Sequence, residues 1–190
     1  VALRTLIGDE ARRFEFLRTS SRLSENDKEA YAQLTEVGST EGGIYTMTES
    51  MAAASLKTLS QLLAQHYGQK TILLIDEYDV PLDKAFQGGY YDEMASLIRS
   101  LFDNVLKTNN SLYFAVLTGC LRISRESIFT GLNNLKVHTI SDVRYEEYFG
   151  FTNDDVDEML TFYGLSSYKD VIREWYDGYR FGDTEVYCPW

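Results

Sequence analysis

The chain has 190 residues, 44% of them hydrophobic, with only two prolines; this suits one domain, or one domain with a small appendage, and excludes disordered and collagen-like chains. Lys and Arg number 18 against 29 Asp and Glu, a formal net charge of −11, which argues against wrapping duplex nucleic acid or lying on a membrane surface, because neutralising phosphates takes clustered cations. Two cysteines, Cys120 and Cys188, are too few for a disulfide framework or a four-thiolate zinc site and fit a reducing, cytoplasmic setting.

The first seventy residues read as helices. Arg4, Asp9, Glu10, Arg12 and Arg13 interrupt any apolar leader, and the start at Val1 rather than Met suggests a piece of something longer. Ser24-x-x-Asp27 predicts a capping box that opens a polar helix running to about residue 37. A glycine-rich break follows over 38–43. Thr46-x-x-Glu49 predicts a second box, with Leu56, Leu59 and Leu63 at helical spacing to about Tyr67 and Gly68 as the left-handed residue at the end.

The period changes at Thr71. Residues 71–75 form a continuous apolar run, as expected of a strand buried on both faces of a parallel sheet. Pro81 cannot continue a ladder, and Gly88 and Gly89 mark a loop. Met94, Leu97, Ile98, Leu101, Phe102 and Val105 then make one helical stripe, and a second apolar run over 112–117 stops at Thr118 and Gly119. Strand, helix, strand in this span predicts a right-handed βαβ crossover. A helix over 124–132 and a third, shorter strand over 137–140 complete the expected α/β part.

Beyond Ser141, seven acids and one Arg fall within 142–158. Thr152-x-x-Asp155 predicts a capped helix carrying Val156, Met159 and Leu160, a second helix follows Ser167, and a hairpin turns at Gly182 and Asp183. The expected organisation is an N-terminal helical segment over 1–45, an α/β core over 46–141 and a helical cap with its hairpin over 142–190. The apolar runs all fall far short of the roughly 20 residues that span a bilayer.

In open parallel sheets, functional groups gather at the carboxyl ends of strands. Asp76 and Glu77 end the first strand, and alternation aims them in different directions, so they suit different tasks. One can hold Mg²⁺, directly or through water, while the other polarises an attacking water. Two solvated loop acids would give the same pattern. Thr118 ends the second strand, where its hydroxyl can orient that water or sense a terminal phosphate, or simply close the strand before Gly119. Arg122 and Arg125 follow, and two guanidiniums just past a strand end can grip phosphate or pair with nearby acids such as Glu126.

Five segments together resemble a bacterial family, the AAA-ATPase-like domain related to P-loop NTPases and often fused to a C-terminal restriction-type nuclease domain. They are residues 72–82 (ILLIDEYDVPL), 89–94, 117–134, 148–152 and 175–182. The resemblance implies a partial P-loop-type parallel sheet, a three-layer αβα remnant, with the C-terminal stretch as a helical cap. It implies a Mg²⁺-linked Asp76, a water-activating Glu77 and a sensor at Thr118, with Arg122 and Arg125 as motif residues near the nucleotide.

A P-loop needs Gly-x-x-x-x-Gly-Lys-Ser/Thr, and the nearest spacing here, 38–43, runs on into Ile44 and Tyr45 without the Lys or the hydroxyl. The expectation is therefore a fragment without its phosphate loop. Mg²⁺ and ATP belong to the intact protein, and neither is expected to bind tightly to this stretch. None of the seven lysines has an acid two residues before it, so a nuclease core, if present in cis, lies elsewhere. Histidines 66 and 138 read as structural. The alternative function is a non-hydrolysing regulatory or protein-interaction module that docks through the acidic stretch from Asp142 onward.

Overall fold

The computed structural model describes residues 2–39, 44–120, 128–129, 131–132, 134–176 and 178–188. The chain divides into two units, 1–133 and 134–190. The first unit opens with α1 (Ala2–Arg12), a single 3₁₀ turn (Glu15–Thr19), α2 (Glu25–Thr35) and α3 (Glu49–Tyr67). Ala11, Leu17, Leu23, Tyr31 and Leu34 pack with Leu59 and Leu62 of α3, so these N-terminal helices share a core with α3. The fully buried Tyr31 donates its hydroxyl to the Ala11 carbonyl at 2.8 Å, and burial raises its pKa.

Helix starts follow side-chain chemistry, with one shift from the predicted pattern. Ser24 caps α2 as expected: Asp27 N–H donates to Ser24 Oγ at 3.2 Å, and Ser24 N–H donates to Asp27 Oδ2 at 3.0 Å. The cap of α3 is Thr48, two residues after the predicted Thr46, with Met51 N–H donating to Thr48 Oγ1 at 3.3 Å. The reason is extended backbone over 45–47. Tyr45 and Met47 point into the same small cluster as Ile7 and Ala52, while Thr46 donates its N–H to Glu36 O at 3.1 Å. Gly68 ends α3 with φ 69°, as expected.

Strand β1 (Thr71–Ile75) and strand β2 (Leu112–Leu117) form where the apolar runs placed them, and they pair in parallel with Ile72 opposite Phe114 and Ile75 opposite Leu117. Two helices join them, α4 (Val80–Gly88) and α5 (Tyr91–Leu106). α4 is not expected from the sequence, where Pro81 reads only as the end of a strand. Proline in a first helical turn loses no intrahelical bond, because that N–H is an orphan anyway, so Pro81 starts the helix.

Ile75 and Leu117 pack with Leu56 of α3, Leu82 of α4 and Ile98, Leu101 and Phe102 of α5. The opposite face of the pair is open: Ile72 and Leu74 are 53% and 72% exposed, and their partners Phe114 and Val116 are exposed too. Burial on both faces, expected from the continuous apolar runs, is thus seen on one face only. The predicted helix over 124–132 falls largely outside the described residues; of its span, Ile128 is buried, and Phe129 stacks on Phe102 at 5.7 Å with 12° between ring planes.

Residues 137–139 form no regular structure, in place of the expected third strand, and a turn follows over 139–142. Thr139 donates its N–H and hydroxyl to Asp142 Oδ2, and Asp142 N–H returns to Thr139 O at 3.0 Å. Local side-chain bonding of this kind competes directly with a strand ladder. In the second unit α6 (Asn153–Phe162) carries the predicted Thr152–Asp155 box. A 3₁₀ turn and α7 (Lys169–Tyr176) follow, then the hairpin of β3 (Tyr179–Phe181) and β4 (Thr184–Val186), which turns at Gly182 with φ 54°. Val156, Leu160 and Tyr187 form its core, with Ile172 against them. The described residues thus make a mixed α/β fold with seven α-helices and a small parallel sheet of two strands.

Candidate functional site

The register that sets Ile75 opposite Leu117 brings the two strand ends together one residue further on, at Asp76 and Thr118. Thr118 N–H donates to Ile75 O at 2.9 Å, and Tyr78 N–H donates to Thr118 O at 3.0 Å. The pairing therefore resumes at Tyr78 and leaves Glu77 as an extra residue between the two bonds. Glu77 takes a left-handed backbone with φ 51°, a conformation that crowds Cβ in any residue but glycine.

Two hydrogen bonds converge on one carboxylate oxygen. The Thr118 hydroxyl donates to Asp76 Oδ1. Glu77 N–H donates to the same oxygen at 3.0 Å and lies 3.4 Å from Thr118 Oγ1. Asp76, Glu77 and Thr118 are all exposed, so the two acids stand at the surface where a ligand can reach them.

Beneath this junction the packing is tight. A Cβ on Gly119 would lie 2.7 Å from the Tyr78 ring and 2.8 Å from Asp79 Oδ1, so only glycine fits there. The Tyr78 ring meets Phe129 edge-on at 5.4 Å and Phe102 at 6.4 Å. Asp79, 4% exposed, sits at the start of α4, where its carbonyl accepts from Leu82 and Asp83 N–H at 3.0 Å each. Asp79 is not among the residues the sequence pattern singles out. The available signal was an acid two residues before Pro81, which is how a helix start reads.

Arg122 and Arg125 lie outside the described residues. Among the described residues no group of three or more His, Cys, Asp or Glu side chains is arranged to hold a metal ion. His66 Nδ1 is 2.8 Å from Ser20 Oγ, with its ring against Phe16. In the second unit, Asp155 is committed to the Thr152 box, and Asp157 pairs with Lys169, whose pKa is raised by that hydrogen bond.

A family model described as Predicted AAA-ATPase matches residues 9–129, a stretch that contains Asp76, Glu77, Thr118, Arg122 and Arg125. The chain belongs to the AAA-ATPase-like family. An uncharacterised protein from the vnfD 5′ region of Azotobacter chroococcum mcd 1 is 35% identical over 125 residues, which is 64% of this chain and 24% of that protein. The match thus spans about a quarter of that relative's length. No solved structure matches the chain. Within this AAA-ATPase-like protein the family match takes in α2, α3 and both parallel strands, while α6, α7 and the hairpin lie beyond it.

Proposed function

We propose that this AAA-ATPase-like chain contributes the acidic half of a nucleoside-triphosphate site, the part known in P-loop enzymes as Walker B and sensor, within a remnant of a P-loop-type parallel sheet. The observation that carries the reading is the Asp76–Thr118 junction at the carboxyl ends of two parallel strands, with Glu77 beside it. Asp76 is the residue that would hold Mg²⁺. An exposed carboxylate with a hydroxyl at its side suits an ion that keeps most of its waters and takes one or two protein oxygens, and no three-ligand cage is needed. When bound, the ion would neutralise phosphate charge and orient the triphosphate. Glu77 would accept the proton of the water that attacks the terminal phosphoryl group, and release it once phosphate has left.

The sequence contains no Gly-x-x-x-x-Gly-Lys-Ser/Thr, so the phosphate cradle has to come from elsewhere. The open apolar face over Ile72, Leu74, Phe114 and Val116 suits a second layer packed over these two strands. The stretch described here is accordingly read as inactive by itself, the turnover belonging to the full-length gene product. Glu77→Gln in that product should lose turnover while still binding Mg-ATP; unchanged turnover would remove Glu77 from the mechanism.

A second reading, docking through the C-terminal stretch, has one observation in its favour: Phe162 and Trp175 are 80% and 75% exposed. Its test should reverse Asp154 and Glu158 and change Trp175 to Ser, because altering Asp155 or Asp157 would break the helix cap or the Lys169 pair. Loss of partner binding with ATPase intact would favour this reading over the hydrolase one.

A further inference from the structure

We propose that the first unit carries a further binding site, a cleft between α1, the 3₁₀ turn over Glu15–Thr19 and α2 that takes a small zwitterion, an amino-acid-like molecule with a carboxylate beside an ammonium. Arg12, Glu15, Arg18, Tyr31 and Thr35 line this cleft, whose volume is about 280 Å³, close to the lower end of the roughly 300–1,000 Å³ usual for ligand clefts. None of these residues belongs to the strand-end junction, so the inference stands apart from the hydrolase reading.

Rings, not acids, place the two guanidiniums. Arg12 Cζ lies 5.0 Å from the centre of the Tyr45 ring, and Arg18 Cζ lies 5.6 Å from that of Tyr31. Both rings are fixed: Tyr45 is buried and donates its hydroxyl to Asp9 Oδ1 at 2.6 Å, and the buried Tyr31 is tied to Ala11 O. Arg18 is held a second time, its Nη2 donating to the buried Thr35 Oγ1 at 2.7 Å. Neighbouring cations find carboxylates, Arg13 pairing with Glu10 at 2.9 Å and Lys28 with Glu25 at 2.8 Å. Among the described residues, Arg12 and Arg18 form no ion pair, and neither does Glu15, although it shares the cleft with both. The Tyr31 hydroxyl feels all three: burial raises its pKa, Arg18 opposes the rise, Glu15 adds to it and Arg12 opposes it.

Two cations and one anion left unpaired in one cleft make a complementary field for a zwitterion. A guanidinium seated on a ring face keeps its edge free, and that edge matches a carboxylate in two parallel hydrogen bonds. The ligand's carboxylate would lie against Arg12 and Arg18, and its ammonium against Glu15. Glu15 also disfavours a bare dianion such as phosphate, by like-charge repulsion.

Thermal-shift and calorimetric titrations of the 190-residue chain with the common L-amino acids, one at a time, test the site. At least one should raise the melting temperature, as a ligand of the folded state does, with a dissociation constant below about 1 mM. The N-acetyl derivative and the methyl ester of that amino acid, which remove one charge each, should bind about 10- to 100-fold more weakly, the loss that goes with a hydrogen bond to a charged group. Arg12→Gln and Glu15→Gln, both at exposed positions, should weaken binding of the unmodified amino acid by a similar factor. Glu15→Gln should at the same time strengthen binding of inorganic phosphate. Circular dichroism checks that the variants fold, and the two derivatives probe the wild type whether or not they do. Binding of no amino acid would overturn the proposal. Binding that the N-acetyl derivative, the methyl ester or folded Arg12→Gln leaves unchanged would overturn it too, as would phosphate binding the wild type as tightly as any amino acid.

Discussion

Glu77 combines a costly backbone with a chemically useful side chain, and the two can be separated by substitution. A left-handed residue other than glycine costs about 1–2 kcal/mol, so Glu77→Gly should raise unfolding stability by on the order of 1 kcal/mol while abolishing any ATP turnover of the full-length protein. Denaturant midpoints and turnover, measured on the same preparation, check the opposite signs. Gly119→Ala should act the other way. Its Cβ would press on the Tyr78 ring and Asp79, and overpacking of this kind costs about 1–3 kcal/mol. At this scale Asp76, Glu77 and Thr118 were legible because apolar runs stop at them. The conformation of Glu77 was not, since glutamate has no preference for positive φ and only the backbone bonds to Thr118 on either side of it leave it as the extra residue.

At the scale of elements, side-chain caps decide where α2, α3 and α6 begin. Ser24→Ala should lower stability by about 1 kcal/mol. The Ser24 hydroxyl and amide hold the Asp27 carboxyl below its ordinary value of 3.8. A depressed folded-state pKa contributes stability that is complete above the ordinary value and disappears as pH falls through the lowered one. The gap between wild type and Ser24→Ala should therefore narrow as the pH drops below 3.8, and acid titrations of both proteins by circular dichroism will show whether it does. Thr48→Ala should cost about 1 kcal/mol and Thr46→Ala only a few tenths. Thr46, with Glu49 three residues on, reads as the cap, and its displacement by Thr48 depends on Tyr45 and Met47 being buried, which a local pattern does not reveal. The same limit hid α4, because Pro81 stops a strand and starts a helix with equal ease.

For the molecule as a whole, the apolar runs gave the two parallel strands but not how many strands surround them. A continuous run reads as burial on both faces, whereas half of this sheet faces outward, with Leu74 72% exposed. Apolar area of this kind favours self-association. Leu74→Lys with Val116→Lys should shift the 190-residue chain towards monomer in analytical ultracentrifugation, and should weaken folding of the full-length product if that face is covered there. Mg-ATP titrated calorimetrically into the 190-residue chain should show no micromolar binding; micromolar affinity would mean that this stretch cradles phosphate without a P-loop.

The aromatic trio beneath the strand ends has a mechanical consequence. Tyr78 directly follows Glu77, and its ring is wedged edge-on between Phe102 of α5 and Phe129. α5 also meets α3, where Asn104 donates to Ala53 O at 3.0 Å. Close-packed interiors transmit strain, so a substitution that shrinks Phe102 or Phe129 bears directly on the residue that follows Glu77.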